Sequence, residues 1–168
     1  MQGGNKIGTL TASKTVSGNK TEFSMTSEVE KRMIMKLEVY EKHTASFTND
    51  KLTGATVIRK VNGKVKVDKK IICTDASCTI TSEGETSSIQ QQPVVHSVLN
   101  IYFFEPEKVK EIFSDNFEKM IALQNMGNHA YKLSMPDGNT AYYYYANGIC
   151  SKVKVDHKLY DLEFVLVN

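Results

Sequence analysis

The stretch Pro93 to Phe104, which reads PVVHSVLNIYFF, constrains the fold more than any other part of the chain. On a helix its apolar side chains would cover two adjoining faces, with Val94, Val98, Ile101 and Tyr102 on one and Val95, Leu99, Tyr102 and Phe103 on the next. A helix that is apolar nearly all round must be buried on several sides. Pro93 suits a first helical turn, and Glu105-Pro106 would end the helix. We therefore predict one central, buried helix.

Most of the remaining chain alternates apolar and polar residues, which is typical of antiparallel strands. The clearest hairpin turns are Asn62-Gly63, Asp137-Gly138 and Asn147-Gly148. The pattern predicts an α+β fold in a single domain, 1–168, with about ten strands. In this fold a strongly curved antiparallel sheet, an incomplete barrel, wraps around the central helix. A second, short helix is predicted over Pro106 to Phe113.

The turns in the last third of the chain predict which side chains share a face. A two-residue turn at Asp137-Gly138 would place Leu133 opposite Tyr142 and Tyr131 opposite Tyr144. Tyr131 and Tyr144 would then lie on the inner, apolar face. The outer face would carry tyrosines beside lysines: Tyr143, Tyr145, Lys132 and Lys152.

Two of the three cysteines, Cys73 and Cys78, flank a short segment that ends two predicted strands. If Asp75-Ala76 is a two-residue turn, the two cysteines lie directly opposite each other, with alpha carbons about 4.5 Å apart. This spacing allows a cross-strand disulfide, which would indicate an oxidising compartment. It also allows two reduced cysteines, and both alternatives stay open. Cys150 would be left unpaired.

Composition narrows the class of protein. The chain has 168 residues, 40% hydrophobic, with a net charge of +2, so charge does not indicate nucleic-acid binding. No apolar run approaches the roughly 20 residues of a membrane span. The first residues lack the charged start and apolar stretch of a signal peptide. We expect a mature chain from which a leader has been removed.

No group of residues predicts catalysis. The four histidines lie far apart in sequence, and none has metal-ligand spacing from another histidine or a cysteine. His96 stands at the start of the predicted helix, but a catalytic base needs a convergent partner, and none is evident. We therefore predict a noncatalytic protein without a metal or cofactor.

A basic run surrounds the Asn62-Gly63 turn: Arg59, Lys60, Lys64, Lys66, Lys69 and Lys70. In the predicted register Arg59 faces Lys66. Such a run can bind an anionic partner such as a lipid headgroup or a polysaccharide. It can equally keep a hairpin soluble and protect an edge strand, which is the interpretation we favour.

Several short blocks resemble a bacterial family of unknown function whose members usually carry a secretion signal. The blocks are Asn100–Pro106, Ile112–Asp115, Leu133–Asn139 and Asn147–Val153, preceded by Lys6–Leu10. The family is similar in layout to lipoprotein-carrier half-barrels. The resemblance implies a periplasmic or secreted protein. It implies no activity and no site residues, because a fold does not specify a function.

Two hypotheses for function follow. In the first, an apolar small molecule or lipid binds between sheet and helix, against Met33, Met35, Tyr102, Phe104, Tyr131 and Tyr144. Methionine and aromatic side chains suit adaptable pockets, although the same residues can fill a dry core by themselves. In the second, an accessory envelope module binds a protein or glycan through Tyr143 and Tyr145 on the outer sheet face.

Overall fold

A computed structural model describes residues 7–32, 36–157 and 160–167. These residues form thirteen β-strands and one 3-10 turn. The chain divides into two compact units, Gly8–Val95 and a second that includes His96–Asn168. The single-domain assignment stays a prediction.

The first unit is a seven-stranded antiparallel sheet, here called the N-terminal sheet, in which each strand pairs with the next in sequence. Its strands are β1 (Gly8–Ser17), β2 (Lys20–Arg32), β3 (Lys36–Thr48), β4 (Lys51–Val61), β5 (Lys64–Cys73), β6 (Ser77–Ser82) and β7 (Glu85–Gln90). Its most buried apolar side chains, at one end of the long strands, include Phe23, Phe47, Leu52, Val57 and Ile71.

The second unit contains a six-stranded antiparallel sheet, the C-terminal sheet, in the order β13-β12-β11-β10-β9-β8. Its strands are β8 (Glu111–Ser114), β9 (Lys119–Gly127), β10 (Ala130–Ser134), β11 (Thr140–Ala146), β12 (Ile149–His157) and β13 (Tyr160–Val165). A 3-10 turn at Asn100–Tyr102 precedes the sheet. Its core includes Ile101, Ile112, Leu133 and Tyr143.

The predicted central helix is wrong, and with it the α+β class: the described residues contain no α-helix. Residues 96–98 lie beside β8 instead. Phe113 N–H donates to His96 C=O at 2.9 Å, and Val98 N–H donates to Phe113 C=O at 3.0 Å. Helical geometry is confined to the 3-10 turn, which Phe103 N–H closes by donating to Asn100 C=O.

The prediction that the apolar run is buried holds in part: Val94, Leu99 and Ile101 are at most 3% exposed, but Val95 is 46% exposed. Burial does not distinguish a helix from an irregular buried segment when the run is short. The run is also rich in β-branched Val94, Val95, Val98 and Ile101, whose restricted side chains disfavour helix. The second predicted helix is also wrong, because Ile112 and Phe113 belong to strand β8.

Two of the predicted hairpin turns have the expected geometry. Asn62 and Gly63 have φ of 48° and 76°, and Asn147 and Gly148 have φ of 54° and 76°. Both residues of a type I′ turn need positive φ, which asparagine and glycine tolerate. Close to the Asn62-Gly63 turn, however, a β-bulge shifts the register, so that Arg59 faces Val67 rather than Lys66.

The Asp137-Gly138 hairpin differs from the prediction by one residue. Met135 N–H donates to Asn139 C=O at 2.9 Å, so the loop has three residues rather than two. A two-residue loop would require an N–H at position 136, and proline has none. Leu133 consequently faces Ala141, and Tyr131 faces Tyr143.

A disulfide joins Cys73 to Cys78, which are paired across β5 and β6 with alpha carbons 4.1 Å apart. Thr74 N–H donates to Ser77 C=O at 2.8 Å and closes the turn between them. The two cysteines lie directly opposite each other across the strands, as the two-residue turn predicts. Cys150 is a buried free thiol.

Replacing both disulfide cysteines by serine should lower the free energy of unfolding by about 2 kcal/mol, the chain-entropy value for so short a loop. Urea denaturation with and without dithiothreitol measures the effect. The reductant should destabilise the wild type and leave the Cys73→Ser/Cys78→Ser variant unchanged. Equal stability of the wild type and the variant without dithiothreitol would contradict this expectation.

His96 should make stability depend on pH. Burial lowers its pKa from the ordinary value of 6.5, and its Nδ1 is buried without a hydrogen-bond partner among the described residues. Below pH 6.5 the imidazole of His96 therefore binds a proton more readily in the unfolded chain than in the folded chain. The contribution of His96 to the free energy of unfolding should be fully present above pH 6.5 and should decrease as the pH falls.

Chemical denaturation of the wild type and His96→Phe between pH 5 and 7.5 tests this sign. Phenylalanine preserves the ring contact with Phe104, whose centroid lies 5.4 Å from that of His96. The variant should lose less stability than the wild type on acidification. Parallel pH profiles for the two proteins would show that His96 does not contribute.

Candidate functional site

One face of the N-terminal sheet, here called the core face, carries its buried apolar side chains. The register places Phe23, Ala45 and Ala55 side by side on β2, β3 and β4. Ile71 on β5 continues the row. These side chains are between 1% and 7% exposed. Side chains alternate across a strand, so every second residue along β3 returns to this face.

Charged residues interrupt the core face further along the strands. Glu41 lies opposite Ser27 on β2 and Arg59 on β4, and His43 is the next β3 residue on the same face. Arg59 Nε–H donates a hydrogen bond to Glu41 Oε1. His43 Nε2 lies 3.9 Å from Glu41 Oε2. We call Glu41, His43 and Arg59 the charged trio.

The carboxyl group of the trio is held in its ionised form. Burial alone would raise the pKa of Glu41, but the neighbouring imidazole of His43 and guanidinium of Arg59 keep it below its ordinary value. The side chains of Glu41 and Arg59 are 26% and 33% exposed, and that of His43 is 9% exposed. Removing charges from water is costly, so a trio on an apolar face is a candidate functional site.

Around and beyond Glu41 and Arg59, the core face carries aliphatic side chains that are only half-buried. They come from five adjacent strands: Leu10 and Val67 from the same cross-strand row as Glu41 and Arg59, and Val29, Val39 and Val61 from the next row. We call these five residues the aliphatic patch. Val29 pairs with Val39, and Val39 pairs with Val61, so its centre is a continuous cross-strand row. Glu41 and Arg59 thus lie between the buried apolar core and the half-exposed row of Val29, Val39 and Val61.

This arrangement places polar and charged side chains next to apolar ones on one sheet face. Within the part of the chain that the structure describes, no group of three or more His, Cys, Asp or Glu residues could hold a metal ion. The trio combines a carboxylate with an imidazole and a guanidinium. Lys69, which is 8% exposed, is a further basic residue on the same face. The site therefore offers hydrogen-bond donors next to aliphatic carbon.

Three of the six predicted ligand residues, Tyr102, Phe104 and Tyr131, share the core of the second unit. Met33 and Met35 lie outside the described residues. Tyr102 and Phe104 are half-buried and pack against the core of the second unit, and Tyr131 belongs to that core. Tyr144 lies on the opposite face of the C-terminal sheet, with Lys152 Nζ 4.4 Å from the centre of its ring. The groove expected between sheet and helix disappears with the helix.

The predicted outer tyrosines are also wrong. Tyr143 and Tyr145 are 2% and 7% exposed, and Tyr145 Oη–H donates to Ile101 C=O at 2.7 Å. The one-residue longer loop at Asp137 exchanges the two faces of β11 relative to β10. Tyr142 and Tyr144 therefore occupy the outer face, where cross-strand pairs place them beside Lys132, Lys152 and Lys154.

A second polar cluster lies in the C-terminal unit. The side chain of Glu105 is 10% exposed. Its Oε1 accepts a hydrogen bond from Tyr131 Oη–H at 2.9 Å and lies 2.9 Å from His129 Nδ1. Burial and the bond to Glu105 raise the pKa of Tyr131 to about 12. In a hydrolytic triad the second ring nitrogen of the histidine is hydrogen-bonded to a nucleophile. Among the described residues, the hydrogen bonds of His129 involve Nδ1 and Glu105, and none joins Nε2 to a nucleophile. The cluster fastens residue 105 to β10.

Sequence reasoning missed the charged trio. A signal was available, because Glu41 and His43 fall on the same alternating positions of β3 as Val39, Ala45 and Phe47. Polar residues on the apolar positions of a strand indicate either a functional site or a wrong register. Arg59 was noted only as part of the basic run.

Comparison with known proteins supports the β architecture. A similar solved structure is the beta-barrel-like protein of domain of unknown function DUF1849 from Brucella abortus, with a TM-score of 0.57 and 10% sequence identity. The alignment covers 95% of this chain and 86% of that one. At this identity the likeness concerns the fold alone. The described residues contain no helix with the length and apolarity needed to span a membrane.

The expected resemblance to an uncharacterised family is confirmed. No curated protein matches the chain. The model of the family described as domain of unknown function DUF6134 matches residues 1–167, and the chain belongs to this family.

Proposed function

We propose that this chain is a noncatalytic extracytoplasmic protein that binds an apolar or lipid-like molecule on the aliphatic patch of its N-terminal sheet. The observation that carries the proposal is the half-exposed aliphatic surface on the core face, bounded by the charged trio. Aliphatic side chains on one face of a sheet are normally packed within a closed core. Here charged groups interrupt the core face, and the patch beyond them can gain further burial from a ligand.

The cysteines support the extracytoplasmic part of the proposal. Disulfides persist in oxidising surroundings such as the periplasm or the extracellular space and are rare in the cytosol. The Cys73–Cys78 disulfide therefore supports a periplasmic or secreted location. The resemblance to secreted proteins points the same way.

The aliphatic patch should bind the apolar fluorescent dye N-phenyl-1-naphthylamine. Replacing two paired valines, Val39→Ser/Val61→Ser, removes four methyl groups. At roughly 0.8 kcal/mol for each fully buried group they would contribute about 3 kcal/mol, and on a half-exposed patch about half of that, so dye binding should weaken about tenfold. Fluorescence titration measures the affinity, and urea denaturation checks that the variant remains folded.

Ile58→Ser is the matched control, because Ile58 is half-buried on the opposite face of β4. It should bind the dye as the wild type does. The proposal fails if the wild type does not bind the dye, or if all three proteins bind it equally.

A second candidate function is glycan binding by the outer face of the C-terminal sheet. Its support is the row of Tyr142 and Tyr144 beside lysines on β10 and β12. Aromatic rings next to cations can stack against sugars. The charges there are nearly balanced, since Lys154 contacts Asp156 at 2.7 Å and Lys152 lies 4.0 Å from Glu163. This favours a neutral oligosaccharide.

The Tyr142→Ala/Tyr144→Ala variant should lose retention on an array of neutral oligosaccharides that retains the wild type. Tyr40→Ala is a suitable control, because Tyr40 lies on the N-terminal sheet with Lys60 Nζ 5.8 Å from its ring centre. The control should be retained. If no oligosaccharide retains the wild type, or the double variant is retained equally, this candidate is rejected.

A further inference from the structure

We infer that the ligand of the aliphatic patch is an amphiphile whose acidic head group, a carboxylate or a phosphate, binds to Arg59. This inference rests on the proposed function and adds the chemical class of the ligand. It requires a donor group of the right geometry, an aliphatic surface within reach and a local charge that favours an anion.

The donor group is the guanidinium of Arg59. Glu41 accepts a bond from its Nε–H, and no other hydrogen bond of Arg59 is found within the described ranges. The two terminal nitrogens thus keep their N–H donors. A guanidinium presents these donors in a planar fork that matches the two oxygens of a carboxylate or phosphate. Arg59 is one-third exposed, so the fork is accessible without unfolding the sheet.

The aliphatic surface begins beside this group. Arg59 lies directly opposite Val67 on β5, and Val61 is the next β4 residue on the same face. Residues two apart on a strand are about 7 Å from each other. A head group at Arg59 would therefore place the first carbons of an alkyl chain against Val61 and Val67. The rest of the chain could extend over Val39 and Val29.

The local charge favours an anion. Among the described residues of the core face near Arg59, Glu41 is the carboxylate, and the exposed Lys64, which lies opposite Val61, adds a second cationic side chain to Arg59. Glu41 acts here as a positioning residue, because its bond to Nε orients the guanidinium. A cationic head group would be repelled by the guanidinium, and a neutral hydroxyl offers one acceptor atom without charge, whereas a carboxylate or phosphate accepts two charge-assisted hydrogen bonds.

Calorimetric titration with dodecanoate, monododecyl phosphate and dodecanol, each below its aggregation concentration, tests the inference. The wild type should bind one or both acids about tenfold or more tightly than the alcohol, as expected for hydrogen bonds to a charged group. Arg59→Gln should lose this preference and keep its affinity for dodecanol. Arg59→Lys, which keeps the charge without the fork, should fall between the two.

Lys60→Gln is the matched control, because Lys60 is the neighbouring basic residue and points to the other face of β4. It should keep the preference for acids. Equal binding of acids and alcohol by the wild type, or an unchanged preference in Arg59→Gln, would overturn the inference and leave the proposed function intact. Failure of all three compounds to bind the wild type would overturn both.

Discussion

Hydrogen bonding between strands that follow one another in sequence is the interaction on which both units depend. In each sheet every strand pairs with its sequence neighbour in antiparallel orientation. The turn between two strands therefore sets their register. Because alternate side chains point to opposite faces, one additional residue in a turn, or one bulge, exchanges the buried and exposed sets. The identity of the residues at the core face is thus decided locally, turn by turn.

The sequence predicts this fold where the turn chemistry is unambiguous and fails where it is not. Asn147-Gly148 forms the expected turn. A bulge between Tyr144 and Tyr145 nevertheless places Tyr144 opposite Lys152, whereas the turn alone would place it opposite Ser151. Pro136 could have predicted the longer loop, because it cannot donate the hydrogen bond that a two-residue turn needs. For the wrongly predicted helix the β-branched residues gave only a weak signal. The backbone of residues 96–98 bonds to Phe113, and periodicity does not reveal that partner.

The charged trio gives the core face of the N-terminal sheet its two regions. Bonding between Glu41 and Arg59 depends on the β3–β4 register, which a single sequence does not establish. Mutual pairing makes the burial of these charges tolerable, although apolar residues in the same positions would often be at least as stable. We attribute their presence to function: they hold donors at the border of an aliphatic surface. The same border keeps that surface separate from Phe23 and Phe47.

The central claim is that the ligand occupies the half-exposed end of the core face. Titration of 15N-labelled protein with dodecanoate, followed by amide chemical shifts, tests it most directly. The account predicts that the largest shift changes occur at Val29, Val39, Arg59, Val61 and Val67, with small changes throughout the C-terminal sheet. Shift changes centred on Tyr102 and Phe104, or no saturable change at any amide, would contradict it.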